Sequence, residues 1–176
     1  MIIKENKAKS IPERNLYTIL KLYEKASGLK GKFYLNVKTD NHALFEQSFF
    51  TEFKMTKSNK KLTKYLSAAL KKASIHTDVE QCLSMCKKQT IFECDLIYVV
   101  NGRIVAIIEI QGPHHREPYI FGGLSNFIST KVSDFVKKDY CEKYGILFYE
   151  FTTNGYSVSE DVDELIKILK RLESNN

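Results

Sequence analysis

Residues 91–100 and 103–110 form two strand-like runs separated only by Asn101-Gly102, a dipeptide that favours a tight hairpin. Both runs carry apolar side chains at consecutive positions, Leu96-Ile97-Tyr98-Val99 in the first and Ile104 through Ile108 in the second. A strand with one wet face alternates apolar and polar residues. These do not alternate, so both faces of the hairpin must be covered. The chain therefore needs a central sheet with structure packed on either side.

Two acids, Asp95 and Glu109, interrupt these runs. An ionised carboxylate in such surroundings is costly unless it is paired, hydrogen-bonded or bound to metal. One reading is a pair of structural acids at strand ends, held by backbone amides or a lysine. The other is a shared cation, because Mg²⁺ prefers oxygen ligands and takes one or two carboxylates with water and a substrate phosphate. Register decides whether the second is possible. A two-residue Asn101-Gly102 turn pairs Val100 with Arg103, sets Asp95 opposite Ile108 and sends Glu109 to the other face. Only an odd-length loop or a bulge brings Asp95 opposite Glu109. Gln111 projects from the same face as Glu109 and is placed to orient water or phosphate. His114 and His115 follow at once in a Gly112-Pro113 turn, and an imidazole there can ligate metal, move a proton or contact phosphate.

The rest of the chain fits around this hairpin. Ser10 caps a helix with Pro12 and Glu13 in its first turn, and Leu16, Ile19, Leu20 and Tyr23 recur at helical spacing until Gly28. Residues 33–37 read as a short strand ended by Thr39-Asp40-Asn41. Helices are expected over about 77–87, 127–144 and 160–172, with a buried strand over 146–151. The order describes an α/β domain spanning 1–176 with a central mixed sheet flanked by helices, and a basic helical insertion over 45–90. Within that insertion, residues 53–77 contain no acid but carry Lys54, Lys57, Lys60, Lys61, Lys64, Lys71 and Lys72. Leu62, Tyr65, Leu66, Ala69 and Leu70 form the apolar stripe of a helix, leaving most of the lysines on its other side as a solvated face or a phosphate-contacting one. The net charge of +6 and pI near 9.0 suit a polyanionic partner. Cys82, Cys86, Cys94 and Cys141 match no paired zinc knuckle and read as reduced thiols. With no long apolar run and no apolar leader, an intracellular protein is expected.

The run Ile108-Glu109-Ile110-Gln111-Gly112-Pro113-His114-His115, preceded by Asp95 and followed by Asp134-Phe135-Val136-Lys137 and Tyr140-Cys141 before Gly145-Ile146, resembles the PD-(D/E)xK nuclease superfamily. Within it, the likeness is specifically to the very-short-patch-repair-like and phage homing-type endonucleases. The resemblance covers the first helix and roughly 91–151. It implies a restriction-endonuclease-like core in which Asp95 and Glu109 bind Mg²⁺, with Mn²⁺ able to substitute. It further implies that His115 is the motif histidine, that Lys137 is the lysine of a following helix opened by Asp134, and that Glu13, in Ile11-Pro12-Glu13-Arg14, completes the acidic cluster. Gln111 stands where relatives usually carry Asp or Lys. The glycine-proline-x-histidine turn is also similar to that of RAP domains, which are associated with RNA.

Three functions follow as expectations. The first is a Mg²⁺-dependent endonuclease, with DNA favoured over RNA, using Glu13, Asp95, Glu109, Gln111, His115 and Lys137. Its substrate backbone would be tracked by Lys57, Lys60, Lys61, Lys64, Lys71 and Lys72. The second is a nuclease-like fold that binds nucleic acid, RNA included, without cutting it. The third is a protein-interaction domain using the basic insertion, which predicts that Asp95 and Glu109 lie apart or on opposite faces.

Overall fold

The computed structural model describes residues 3–86, 89–112, 123–153 and 162–174. In chain order the elements are α1 (Ile11–Ala26), β1 (Lys32–Lys38), α2 (Gln47–Glu52), α3 (Lys60–Lys72), α4 (Val79–Met85), β2 (Glu93–Val100), β3 (Arg103–Gln111), α5 (Gly123–Tyr144), β4 (Leu147–Thr152) and α6 (Val162–Ser174). Ser10 caps α1 as expected, its hydroxyl accepting from the Glu13 amide at 3.3 Å. The strands form one sheet in the order β1-β2-β3-β4. Its first three strands are antiparallel neighbours, and β4 returns through α5 to run parallel to β3.

The doubly apolar hairpin is covered on both sides. Beneath α1 and α6, Leu16, Leu20, Leu165 and Leu169 pack on Phe33, Leu96, Tyr98 and Ile108. On the opposite face, Phe50 of α2, Leu66 of α3, Cys82 of α4 and Val136 of α5 pack on Val37, Ile97, Val99 and Ile107. The basic segment 45–90 is thus part of a core layer. Its short helix α2, bracketed by Phe45 and Phe53 and built on Phe49 and Phe50, carries no helical periodicity long enough to read from sequence. Among the described residues, no helix is long and apolar enough to cross a membrane.

Two irregularities shape the sheet. The hairpin turn is the tight two-residue one: Asn101 and Gly102 both have positive φ, 49° and 79°, and Val100 pairs with Arg103. That start would misplace the acids. Between Val99↔Ile104 and Tyr98↔Ala106, however, β3 holds an extra residue, Val105, and from there Ile97 faces Ile107 and Leu96 faces Ile108. The bulge advances the register by one residue, which sets Asp95 across from Glu109.

The second irregularity crosses β1 and β2 together. Phe33 and Leu35 join the core beneath α1 and α6, whereas Val37 joins the other; Leu96 and Cys94 divide in the same way. Both strands therefore exchange faces at Asn36 and Asp95, which are bracketed by the pairs Leu35↔Leu96 and Val37↔Cys94. Asn36 has φ 48°, a left-handed residue inside a strand. The edge of β1 is covered by the segment before α1: the Asn6 amide donates to the Leu35 carbonyl at 3.2 Å, and the Leu35 amide donates to Glu5 Oε1 at 2.9 Å.

Candidate active site

Beyond Leu96↔Ile108 the ladder between β2 and β3 ends, and the two acids stand in the fork. Asp95 Oδ2 accepts the Ile110 amide at 2.8 Å, and the Asp95 amide reaches Glu109 Oε1 at 3.4 Å. The carboxylates thus take over backbone groups that the parting strands leave unpaired. Asp95 is half-buried, while Glu109 is 1% exposed and faces α5.

Lys137 of α5 meets Glu109 there. Its ammonium forms an ion pair with Glu109 Oε2 and donates to the Glu93 carbonyl at 3.2 Å. Burial pushes Glu109 well above the ordinary carboxylate range, with Lys137 opposing and Asp95 adding to the shift. Burial also acts to lower Lys137 but is outweighed by Glu109, Asp95 and Asp134, so its pKa lies above the usual lysine value. We take the ammonium as charged, because it sits among three acids and burial alone would have to displace it. Asp134 is buried one helical turn before Lys137 and lies 3.7 Å from Lys131. Asp134 and Lys137 occupy the middle of α5 rather than its opening, since the helix begins at Gly123. Cys94 and Cys141 lie buried beside the pair as neutral thiols; burial and then Glu109 push Cys141 up to about 12 and Cys94 upward as well. All four cysteines are free.

Gln111 ends β3, half-buried, with its carbonyl accepting the Thr153 amide at 3.1 Å. It lines a 460 Å³ groove with Tyr65 and Lys72 of α3, Lys131 of α5, and Glu150 and Thr152 of β4. Its Nε2 is buried and finds no acceptor among the described residues. Glu150 pairs in register with Glu109 but is exposed.

Glu13 is buried at the third position of α1, where Oε2 accepts the Lys9 amide at 2.6 Å and Asn36 Nδ2 at 3.3 Å. A glutamate at this helical position commonly turns back to cap its own helix start, so this contact has an ordinary structural origin. Among the described residues no group of three or more His, Cys, Asp or Glu gathers in a form that could hold a metal ion, so Glu13 does not complete an acidic trio. The donor set nevertheless suits a hard cation: two carboxylates on adjacent strands meet the usual Mg²⁺ complement, provided that Lys137 shares Glu109. His114 and His115 lie outside the described residues.

The lysines divide. Lys57 is paired with Glu80 at 2.9 Å, and Lys61 reaches Asp139 and Glu142, each at 3.4 Å. Lys60, Lys64, Lys71 and Lys72 are exposed, and Lys72 borders the Gln111 groove.

Asn36, which lies across from Asp95 in register and donates to Glu13, is the neighbour of the acids that sequence reasoning missed. The available signal was an asparagine inside an otherwise strand-like run, a residue type that tolerates positive φ. No family model matches the chain, and neither does any curated protein or solved structure.

Proposed function

We propose that the chain is a divergent PD-(D/E)xK-type nuclease, a Mg²⁺-dependent DNA endonuclease whose centre is the fork at Asp95 and Glu109. The observation that carries this reading is the bulge at Val105. An otherwise regular hairpin spends an extra residue, and the effect is to set two acids opposite each other where the strands part. The helix–strand–insertion–hairpin–helix–strand order, with β4 parallel to β3, supports a restriction-endonuclease-like core. The resemblance implies a functional role for Lys137 as the lysine of the following helix, and its ion pair with Glu109 supports that role.

In this reading Asp95 and Glu109 hold the cation, which when bound supplies a water of lowered pKa and charge stabilisation at the phosphate. Lys137 fixes the Glu109 carboxylate and carries positive charge to the site where negative charge accumulates. Gln111 offers its Nε2, which finds no acceptor among the described residues, to a phosphate oxygen or to the attacking water at the head of the groove. Lys72 and the exposed lysines of α3 attract the backbone without reading bases. His115 is the proposed proton-transfer group.

A second reading, binding without cleavage, is favoured by one observation: both carboxylates already have protein partners, the Ile110 amide and Lys137. Cleavage assays separate the two. With Mg²⁺ or Mn²⁺ the chain is expected to nick DNA, and Asp95→Asn and Glu109→Gln are expected to abolish nicking while leaving affinity nearly intact. Absence of cleavage on both DNA and RNA with every divalent metal tried would leave only the binding role. The acids lie side by side rather than apart, unlike the arrangement expected of a protein-interaction domain.

A further inference from the structure

One wall of the groove beside the fork is a single stripe of α3, in which Tyr65, Ala68, Ala69 and Lys72 follow one another at helical spacing. Tyr65 and Lys72 stand at its ends, roughly 10 Å apart along the helix axis. The alanines between them leave the middle open. The other wall comes from α5 and from the ends of β3 and β4, so rigid elements frame the whole space. Its 460 Å³ lies in the range of sites that enclose one small organic ligand, which is room for one unpaired nucleotide and too little for a duplex.

The polar groups of the groove are of two kinds. Lys72 is exposed, and Lys131 is half-buried with its ammonium 3.7 Å from Asp134 and 5.7 Å from the centre of the Phe127 ring. With Gln111, whose Nε2 finds no acceptor among the described residues, these cations suit a phosphate. Glu150 does not, because a carboxylate repels a phosphate. It accepts readily, however, from the amino group of a base, as acidic side chains do from cytosine. Glu150 lies within electrostatic reach of Tyr65: burial, then Asp134 and Glu150, push the phenol above its ordinary pKa and keep it neutral. The Tyr65 ring is itself braced by Phe135, with ring centres 5.3 Å apart. An aromatic wall with an acid near it is a seat for a base, not for a backbone. Glu150 is also the register partner of Glu109, one strand spacing of about 4.8 Å away, so a base held there belongs to a nucleotide next to the fork.

We propose that this groove is a base-binding subsite that takes one unpaired nucleobase carrying an exocyclic amino group, with Glu150 accepting from that group. The substrate is then single-stranded, or opened, at the nucleotide beside the cleaved bond. This deepens the nuclease reading above and rests on it. The opposite case is a groove that stays empty, with Glu150 a mere counter-charge to the lysines.

The test is binding of the full chain, in the absence of metal so that nothing is cut, to labelled oligodeoxycytidine, oligothymidine and a mixed-sequence duplex of equal length, read by fluorescence anisotropy. The two single strands have the same backbone and similar ring size but differ in the amino group. The wild type is expected to bind oligodeoxycytidine about 5-fold or more tighter than oligothymidine, and tighter than the duplex. Glu150→Gln, at an exposed position, is expected to remove the preference while binding oligothymidine no more weakly than the wild type does. Ala69→Leu, which fills the groove, is expected to bring both single strands to one affinity, with circular dichroism checking the fold; if it misfolds, Glu150→Gln decides alone. Equal wild-type affinity for the two single strands, duplex binding as tight as single-strand binding, or a preference that survives Glu150→Gln overturns the subsite and leaves the nuclease reading standing. Failure to bind any of the three overturns both.

Discussion

Replacing Lys137 with methionine tests the electrostatics of the fork directly. In the native chain the ammonium is paired with a Glu109 carboxylate that is 1% exposed. Removing one partner of a buried pair leaves an uncompensated charge and typically costs about 3–5 kcal/mol. For a chain of this length each kcal/mol moves the melting temperature by about 2–4 °C, so the shift at neutral pH is roughly 6–20 °C. The cost must also vary with pH, because Glu109 can escape it by taking up a proton. Without Lys137 the main influence holding Glu109 down is gone, and its folded pKa rises further above the unfolded value of about 4.3. A carboxylate shifted upward in this way costs nothing below its unfolded pKa and destabilises progressively as pH climbs towards the folded one. Urea denaturation at a series of pH values from about 4 to 8 should therefore show a small deficit at the acid end that widens upward. Lys137→Met combined with Glu109→Gln, which leaves no charge to strand, should recover most of the loss. A deficit of equal size across the range, or a double variant no more stable than Lys137→Met, would refute the reasoning.

Three other outcomes follow from the fold. A β-carbon added at Gly31 would sit 2.5 Å from Tyr98 Cζ and 2.6 Å from the Val99 carbonyl oxygen, so Gly31→Ala should lower the urea midpoint by an overpacking cost of about 1–3 kcal/mol. Glu173 of α6 accepts the Lys30 amide at 2.8 Å and the Gly31 amide at 3.0 Å, and pairs with the Tyr98 hydroxyl; Glu173→Ala should cost at least about 1.5–3 kcal/mol in the same assay. If α3 binds nucleic acid, neutralising Lys60, Lys64, Lys71 or Lys72 should flatten the dependence of log affinity on log salt by about 0.9 for each phosphate that no longer meets a positive charge. Lys57 and Lys61, already engaged by Glu80, Asp139 and Glu142, should flatten it less.

Elements with strong local signals were legible in the sequence: Ser10 and Pro12 at the start of α1, the left-handed Asn101-Gly102 turn, and the amphipathic stripes of α3 and α6. So was the oddity of Asp95 and Glu109, because an acid in an apolar strand stands out against a strict background. The extra residue at Val105 did not stand out, since a bulge arises from pairing between strands and Val105 is as good a strand residue as its neighbours. Asn36 looked like an ordinary interruption of a short strand because its left-handed backbone and buried carbonyl are properties of tertiary placement. Partners distant in the chain were equally hidden. Nothing near Lys61 hints at Asp139 and Glu142, and nothing near Glu13 hints that Asn36 would engage it.

The surplus residue at Val105 makes the site depend on a count rather than on a side chain. The hairpin between Asn101-Gly102 and Glu109 holds one residue more than its ladder uses, so the strand has slack in one direction only. A chain shortened by one position at 105 can zip regularly and still bring Glu109 to Asp95. A chain lengthened by one must find room for a second unpaired residue or turn Glu109 to the wrong side of the sheet. Position 105 should therefore accept many residue types and even a deletion, while an insertion anywhere along 103–108 disables the fork without touching either acid.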